Sequence, residues 1–234
     1  MRRWLPLLLL PILALLIVLI PRAVVLPPSL DPTAPLDLRE PPGLLTRYKL
    51  SRMAREPGLC AESFAMSGIP IPTLPPQPER DGCGIAEPVR MPGPLRFQPG
   101  APVVNCPLAA AWTIFERHGL QPAAEAAFGQ RVTAVRHLGA YNCRNVYHRA
   151  NARRSQHATA NAIDIAGFTL ADGRAVNLPG DWRAAGAPSS GSGDFLRAVR
   201  DSACRVFGAV LGPDYNAAHR DHFHLDRGGW GTCR

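Results

Sequence analysis

Lysine is almost missing from this chain: of 26 basic residues (lysine plus arginine) among 234, only Lys49 is a lysine. No run of lysines and arginines occurs, which excludes the basic stripe of a nucleic-acid-binding surface. With so much alanine, proline and glycine alongside, the arginine preference reads as GC-rich coding rather than chemistry. Setting aside Arg2, Arg3 and Arg22, which flank an apolar segment, takes the formal charge from +8 to +5. An excess of that size suits contact with an anionic polymer such as a cell wall, and equally an ordinary basic surface. No two of the six cysteines stand as Cys-x-x-Cys, which argues against a cysteine zinc ribbon or a thioredoxin-type site. No stretch repeats another.

The N-terminus is a likeness of a membrane anchor. Arg2 and Arg3 precede Trp4 to Ile20, an uncharged run of 17 residues rich in leucine and isoleucine. As a helix it would be about 25 Å long, at the short end of what crosses a bilayer. Pro6 and Pro11 are tolerated in membrane helices. The paired arginines imply a cytoplasmic N-terminus and an exported remainder. No Ala-x-Ala pattern follows at Ile20 to Val24, and no cysteine stands close enough for a lipoprotein anchor. Residues 1–22 are therefore expected to be an uncleaved inner-membrane anchor, with a cleaved signal peptide and a soluble periplasmic chain as the alternative. Residues 23–43, with six prolines, read as a semi-rigid periplasmic spacer, and residues 44–234 as one domain with room for a real core.

All six cysteines, Cys60, Cys83, Cys106, Cys143, Cys204 and Cys233, lie beyond the apolar run. An even set in an exported chain reads as disulfides. Closing successive loops gives Cys60–Cys83, Cys106–Cys143 and Cys204–Cys233, one of the 15 pairings that six cysteines allow.

A short helix is expected over 44–55, followed by proline- and glycine-rich loops over 57–102. From Pro107 the pattern turns helical, with Ala110, Trp112, Ile114 and Phe115 before Gly119. Val132 to Leu138 reads as a strand closed by Gly139. Asn161 to Phe168 reads as another, returned as a hairpin by Ala171-Asp172-Gly173-Arg174. Phe195 to Val210 has helical spacing, and a last strand holds Phe223 and Leu225. The mixture is α+β.

Polar chemistry gathers in two segments. In Ser155-Gln-His157-Ala-Thr-Ala-Asn-Ala-Ile-Asp164-Ile165, strand alternation turns Ile163 and Ile165 to the core and Asp164 away from it. A carboxylate there has to reach a polar site. In His219-Arg-Asp221-His222-Phe-His224-Leu-Asp226, His222 and His224 share a strand face opposite Phe223 and Leu225. Two imidazoles beside an emergent carboxylate suit a tetrahedral metal shell with one open position. A hydrogen-bonded polar cluster without metal is the bland competitor. Asp181, Asp194, Asp201 and Asp214 read as solvated or capping residues, and His118, His137 and His148 as surface residues.

Ser-x-His-x6-Asp followed by His-x-His resembles the zinc peptidases of the LAS group (lysostaphin, D-Ala-D-Ala peptidases, Hedgehog signalling domain). Over residues 58–234 the chain is similar to a narrower bacterial family, the extensin-like C-terminal domain. Its marks are Ala140-Tyr-Asn-Cys143-Arg144, Ser155-Gln-His157-Ala, Ala162-Ile-Asp164-Ile, Phe168 with Asp172-Gly173-Arg174, Leu211-Gly-Pro-Asp-Tyr-Asn, and His222-Phe-His224-Leu-Asp226. The resemblance implies a small antiparallel sheet with flanking helices around a LAS/Hedgehog-like core, stabilised by disulfides. It implies Zn2+ on His157, Asp164 and His224, with water in the fourth position. For the acid/base role it offers His222, then Asp221, then His219, and for stabilising developing charge Arg144. It departs from the group at Ala160, where many members carry glycine. The function implied is a zinc-dependent peptidase acting on peptidoglycan in the periplasm. The alternative is a catalytically inactive zinc-containing module that binds or braces the wall.

Overall fold

The computed structural model describes Pro11 and residues 26–182, 191–228 and 231–234. The segment read as a membrane anchor thus lies, but for Pro11, outside the described residues. Among those described, no helix is long and apolar enough to cross a membrane.

The described part of the proline-rich stretch does not stand free as a spacer. Leu36 and Leu38 are buried. Their N–H groups donate to Ser63 Oγ at 3.1 Å and Ser67 Oγ at 2.8 Å. The stretch lies across α1 (Thr46–Met53) and α2 (Leu59–Met66). The region 57–102, expected as loops, includes α2 and the short strands β1 (Gln77–Arg80), β2 (Cys83–Ile85), β3 (Pro88–Arg90) and β4 (Arg96–Gln98). Gly58, at φ 82°, starts α2, and Leu59, Cys60 and Phe64 bury its inner face. β5 (Val103–Asn105) pairs with β3 and leads into α3 (Cys106–Phe115).

Helix α3 forms for local reasons. Asn105 accepts the Leu108 N–H at 3.0 Å, and Pro107 occupies the first turn, where a missing N–H costs nothing. The helix is apolar on every side and accordingly buried on nearly all of them, Trp112, Ile114 and Phe115 included. It passes through a π-turn at Glu116–Leu120 into α4 (Gln121–Phe128), against which a later helix packs.

The main sheet has seven strands: β4, β6 (Val132–Gly139), β7 (Ala162–Leu170), β8 (Ala175–Asn177), β9 (Ala209–Leu211), β10 (Phe223–Asp226) and β11 (Thr232–Cys233). Its order is β11-β9-β10-β7-β6-β4, with β8 and β10 sharing one edge of β7. The expected antiparallel sheet holds for the pairings among β6, β7, β8, β9 and β10, while β4 runs parallel to β6 and β11 parallel to β9. A short helix α5 (Leu178–Asp181) and α6 (Gly191–Ala203) follow β8. The helix expected to reach Val210 stops at Ala203. Val206 and Val210 are buried, but in a turn and in β9, so burial alone prolonged the apparent period. The core joins α3, α4 and α6 to one sheet face, with Phe115–Phe207 and Phe168–Phe195 ring contacts at 5.6 and 5.5 Å.

Three disulfides staple this arrangement: Cys60–Cys106, Cys83–Cys143 and Cys204–Cys233. The last matches the loop-closure expectation, and the other two exchange partners. Packing of α2 on α3 brings Cys60 to the first turn of α3. Cys83 in β2 lies near the turn before β7, on the side of Cys143. His137, expected at the surface, is buried in β6, its ring Nε2 2.8 Å from the Gly100 carbonyl.

Candidate metal centre

The antiparallel register of β7 and β10 sets His224 directly across from Asp164. Phe223 opposes Ile165 and Leu225 opposes Ile163, so the four apolar side chains face the core and the two polar ones emerge on the opposite face. On the other edge of β7, Gly139 is the residue opposite Asp164 and brings no side chain into that space. The register of β6 shifts twice just before this point, as bulges beside functional sites commonly do.

His157 comes from the 3-10 turn Gln156–Thr159, one step before β7. Ser155 caps the turn by accepting the His157 N–H at 3.3 Å. Ala160 closes it in the left-handed conformation, φ 49°, a region that favours glycine. The ring is fixed by its Nδ1–H, which donates to the Ala140 carbonyl at 2.9 Å. A carbonyl only accepts, so in the neutral ring Nε2 of His157 keeps its lone pair, and only the imidazolium donates from Nε2 to Asp164.

Three side chains converge. His157 Nε2 lies 3.1 Å from His224 Nδ1 and 3.2 Å from Asp164 Oδ2, and His224 Nδ1 lies 2.9 Å from Asp164 Oδ1. Ligand distances of about 2.0–2.1 Å in a tetrahedron require edges of roughly 3.3 Å. The triangle is slightly tighter than that, and a two-imidazole, one-carboxylate set suits zinc. His157, Asp164 and His224 are the group among the described residues with metal-ligand proximity. Both outer ring nitrogens are also engaged, His157 by Ala140 and His224 by Asp226, whose Oδ2 lies 3.0 Å from Nε2. Asp226 is itself held by the Gly228 N–H at 2.7 Å. Such outer partners fix which nitrogen faces a metal.

The electrostatics follow from this geometry. Burial pushes the Asp164 carboxyl up, but hydrogen bonds from His157 and His224 outweigh it and hold the group well below the usual carboxylate range. Burial likewise disfavours the charged His224 ring, yet the two flanking carboxylates outweigh it and raise the ring to about 9. His219 goes the other way, to about 4, through burial and the neighbouring His224 and His222.

Of the remaining candidates, His222, His219 and Arg144 line an open cleft of about 330 Å³ over these groups. His222 stands just before β10, with Nε2 3.6 Å from Asp164 Oδ1. Its Nδ1–H donates to Asp221 Oδ1 at 2.8 Å, so Asp221 backs His222 and is not among the residues lining the cleft. His219 packs its ring against His222 and His224, at 5.3 and 5.9 Å. Arg144 is half-buried in the cleft wall, where its guanidinium Nη1 donates at 3.4 Å to the Asn145 carbonyl. Three contributors had no assigned role from sequence. Asp226 was signalled by its place two residues after His224 on one strand face. Tyr147 and Asn216, which touch each other at the cleft mouth, had no such signal.

The model of one family, described as extensin-like protein C-terminus, matches residues 58–234. No curated protein and no solved structure matches the chain.

Proposed function

The chain belongs to the extensin-like protein C-terminus family, and from the donor set it carries we propose that it is a zinc-dependent peptidase acting on peptidoglycan peptides in the periplasm. The observation that carries this reading is the His157/Asp164/His224 triangle with both outer imidazole nitrogens already engaged. The likeness of these residues to the LAS zinc-peptidase pattern supports the reaction class, and an N-terminal apolar run that would tether the chain near nascent wall supports the substrate. When bound, zinc supplies Lewis-acid polarisation of a carbonyl and lowers the pKa of water toward about 7.

The chain's own residues divide the remaining work. His222, its Nδ1–H committed to Asp221, offers the Nε2 lone pair to take a proton from the attacking water and return it to the leaving nitrogen. Asp221 keeps that tautomer and favours the imidazolium as it forms. Arg144 supplies donors to the oxygen that becomes negative. The cleft orients an extended peptide across these groups.

Zinc content and muropeptide profiling of the full chain test the reading. Wild type is expected to bind about one equivalent and release products from purified sacculi. His157→Ala should hold under a tenth of an equivalent. His222→Ala should keep the metal while activity falls about 10²–10⁴-fold. Stoichiometric zinc in His157→Ala would remove the site assignment. Zinc-loaded wild type that binds sacculi without releasing product would instead favour the wall-binding alternative.

A further inference from the structure

Tyr147 and His148 both hold left-handed backbone, at φ 53° and 58°, although neither is glycine. Consecutive residues in that region are strained and persist where their surroundings over-determine them. The consequence of this geometry is that the Tyr147 hydroxyl meets Asn216, on the segment leading to His219. Asn216 Nδ2–H donates to the Tyr147 oxygen at 2.9 Å. Asn216 Oδ1 accepts the Ala218 N–H at 3.0 Å and lies 2.8 Å from His219 Nδ1. The backbone N–H can only donate, so it identifies Oδ1 as the oxygen, and His219 Nδ1 must carry its proton to bond there.

We infer that Tyr147 and Asn216 are positioning residues that lock His219 as its Nδ1–H tautomer, presenting Nε2 to the cleft as an acceptor for a substrate N–H. This rests on the peptidase reading and deepens it. Among the described residues no protein group donates to His219 Nε2, and His219 lines the cleft beside His222. His222 carries its own tautomer partner in Asp221, so the two histidines have separate supports and separate tasks. An acceptor beside the scissile bond selects an amide, whose nitrogen carries a proton, over an ester of the same shape.

Long-range ¹H–¹⁵N spectra of the histidine-labelled full chain test the tautomer without substrate or added zinc. Wild type should show His219 protonated on Nδ1. Asn216→Asp keeps the acceptor and the cap and should keep that signature. Asn216→Ala should move His219 toward the Nε2–H form that free imidazole side chains favour, and Tyr147→Phe should broaden the Nδ1–H signal. With muropeptide substrate, Asn216→Ala is expected to lower kcat by about 10–100-fold, with zinc content unchanged and Asn216→Asp restoring most of the loss. An Nε2–H signature in wild type, or one unaltered in Asn216→Ala, overturns the inference. Should Asn216→Ala fail to fold, an unaltered Tyr147→Phe signal overturns it. Loss of zinc binding in wild type would overturn the peptidase reading while leaving the tautomer result standing.

Discussion

At the scale of single residues, Asp226 carries a consequence for metal affinity. It sits two positions after His224 on one face of β10, is buried, and accepts from Nε2 while Gly228 holds its other oxygen. Removing it frees the His224 ring to rotate and lets either nitrogen carry the proton. Asp226→Ala is therefore expected to weaken zinc binding by about 10–100-fold, read by competition with a chelating dye. Affinity equal to wild type would mean that the ring is fixed by packing alone. Strand alternation made the shared face of Asp164 and His224 legible in the sequence, whereas His157, on a turn before β7, was joined to them through the family resemblance. The acid/base order was not legible, because His219, Asp221 and His222 differ in their partners, and partners are tertiary facts.

At the scale of elements, alternation of apolar and polar side chains made β10 and the Asp164 stretch of β7 readable, although both faces there are largely buried, one in the core and one in the polar cluster. Helix α2 was not readable: its eight residues follow Gly58 inside a proline-rich stretch, and no period is established over so short a run. The π-turn between α3 and α4 was likewise hidden, although Gly119 within it stands against Ser202 of α6. A Cβ at Gly119 would lie 2.7 Å from Ser202 Oγ and 2.9 Å from Ser202 Cβ. Gly119→Ala, which intrinsic helix propensity alone would make favourable, is accordingly expected to destabilise by about 1–3 kcal/mol. Ser202→Ala in the same chain should recover part of this, so that the double variant costs less than the sum of the singles. Chemical unfolding with disulfides intact measures the cycle, and strict additivity would show that α6 does not meet α3 and α4 through this contact.

At the scale of the whole molecule, the proline-rich stretch and the solitary lysine explain one another. Proline contributes a carbonyl and no N–H, so a segment rich in it presents acceptors that its own backbone leaves unanswered. Here donors come from α1: Lys49 Nζ reaches the Pro28 carbonyl at 2.6 Å and the Pro35 carbonyl at 3.4 Å. Arg52 reaches those of Pro32 and Thr33, at 2.6 and 3.0 Å. Burial pushes the Lys49 ammonium down from its ordinary value, the cost of placing a cation under the strap. Sequence composition marks such a stretch as a linker, because it lacks the periodic apolar pattern of an element. What docks it is instead a pair of leucines, Leu36 and Leu38, and a few donors from elsewhere in the chain. Lys49→Met keeps the bulk and removes the donor. A hydrogen bond from a charged group contributes about 1.5–3 kcal/mol, so amide exchange at Leu36 and Leu38 should quicken by roughly tenfold or more. Mass spectrometry of deuterium uptake over residues 26–43 reads this directly, with peptides around His157 as the internal reference. Unchanged uptake in the strap would show that the leucines hold it without the lysine. Uptake rising equally around His157 would show that the strap and the candidate site unfold as one unit.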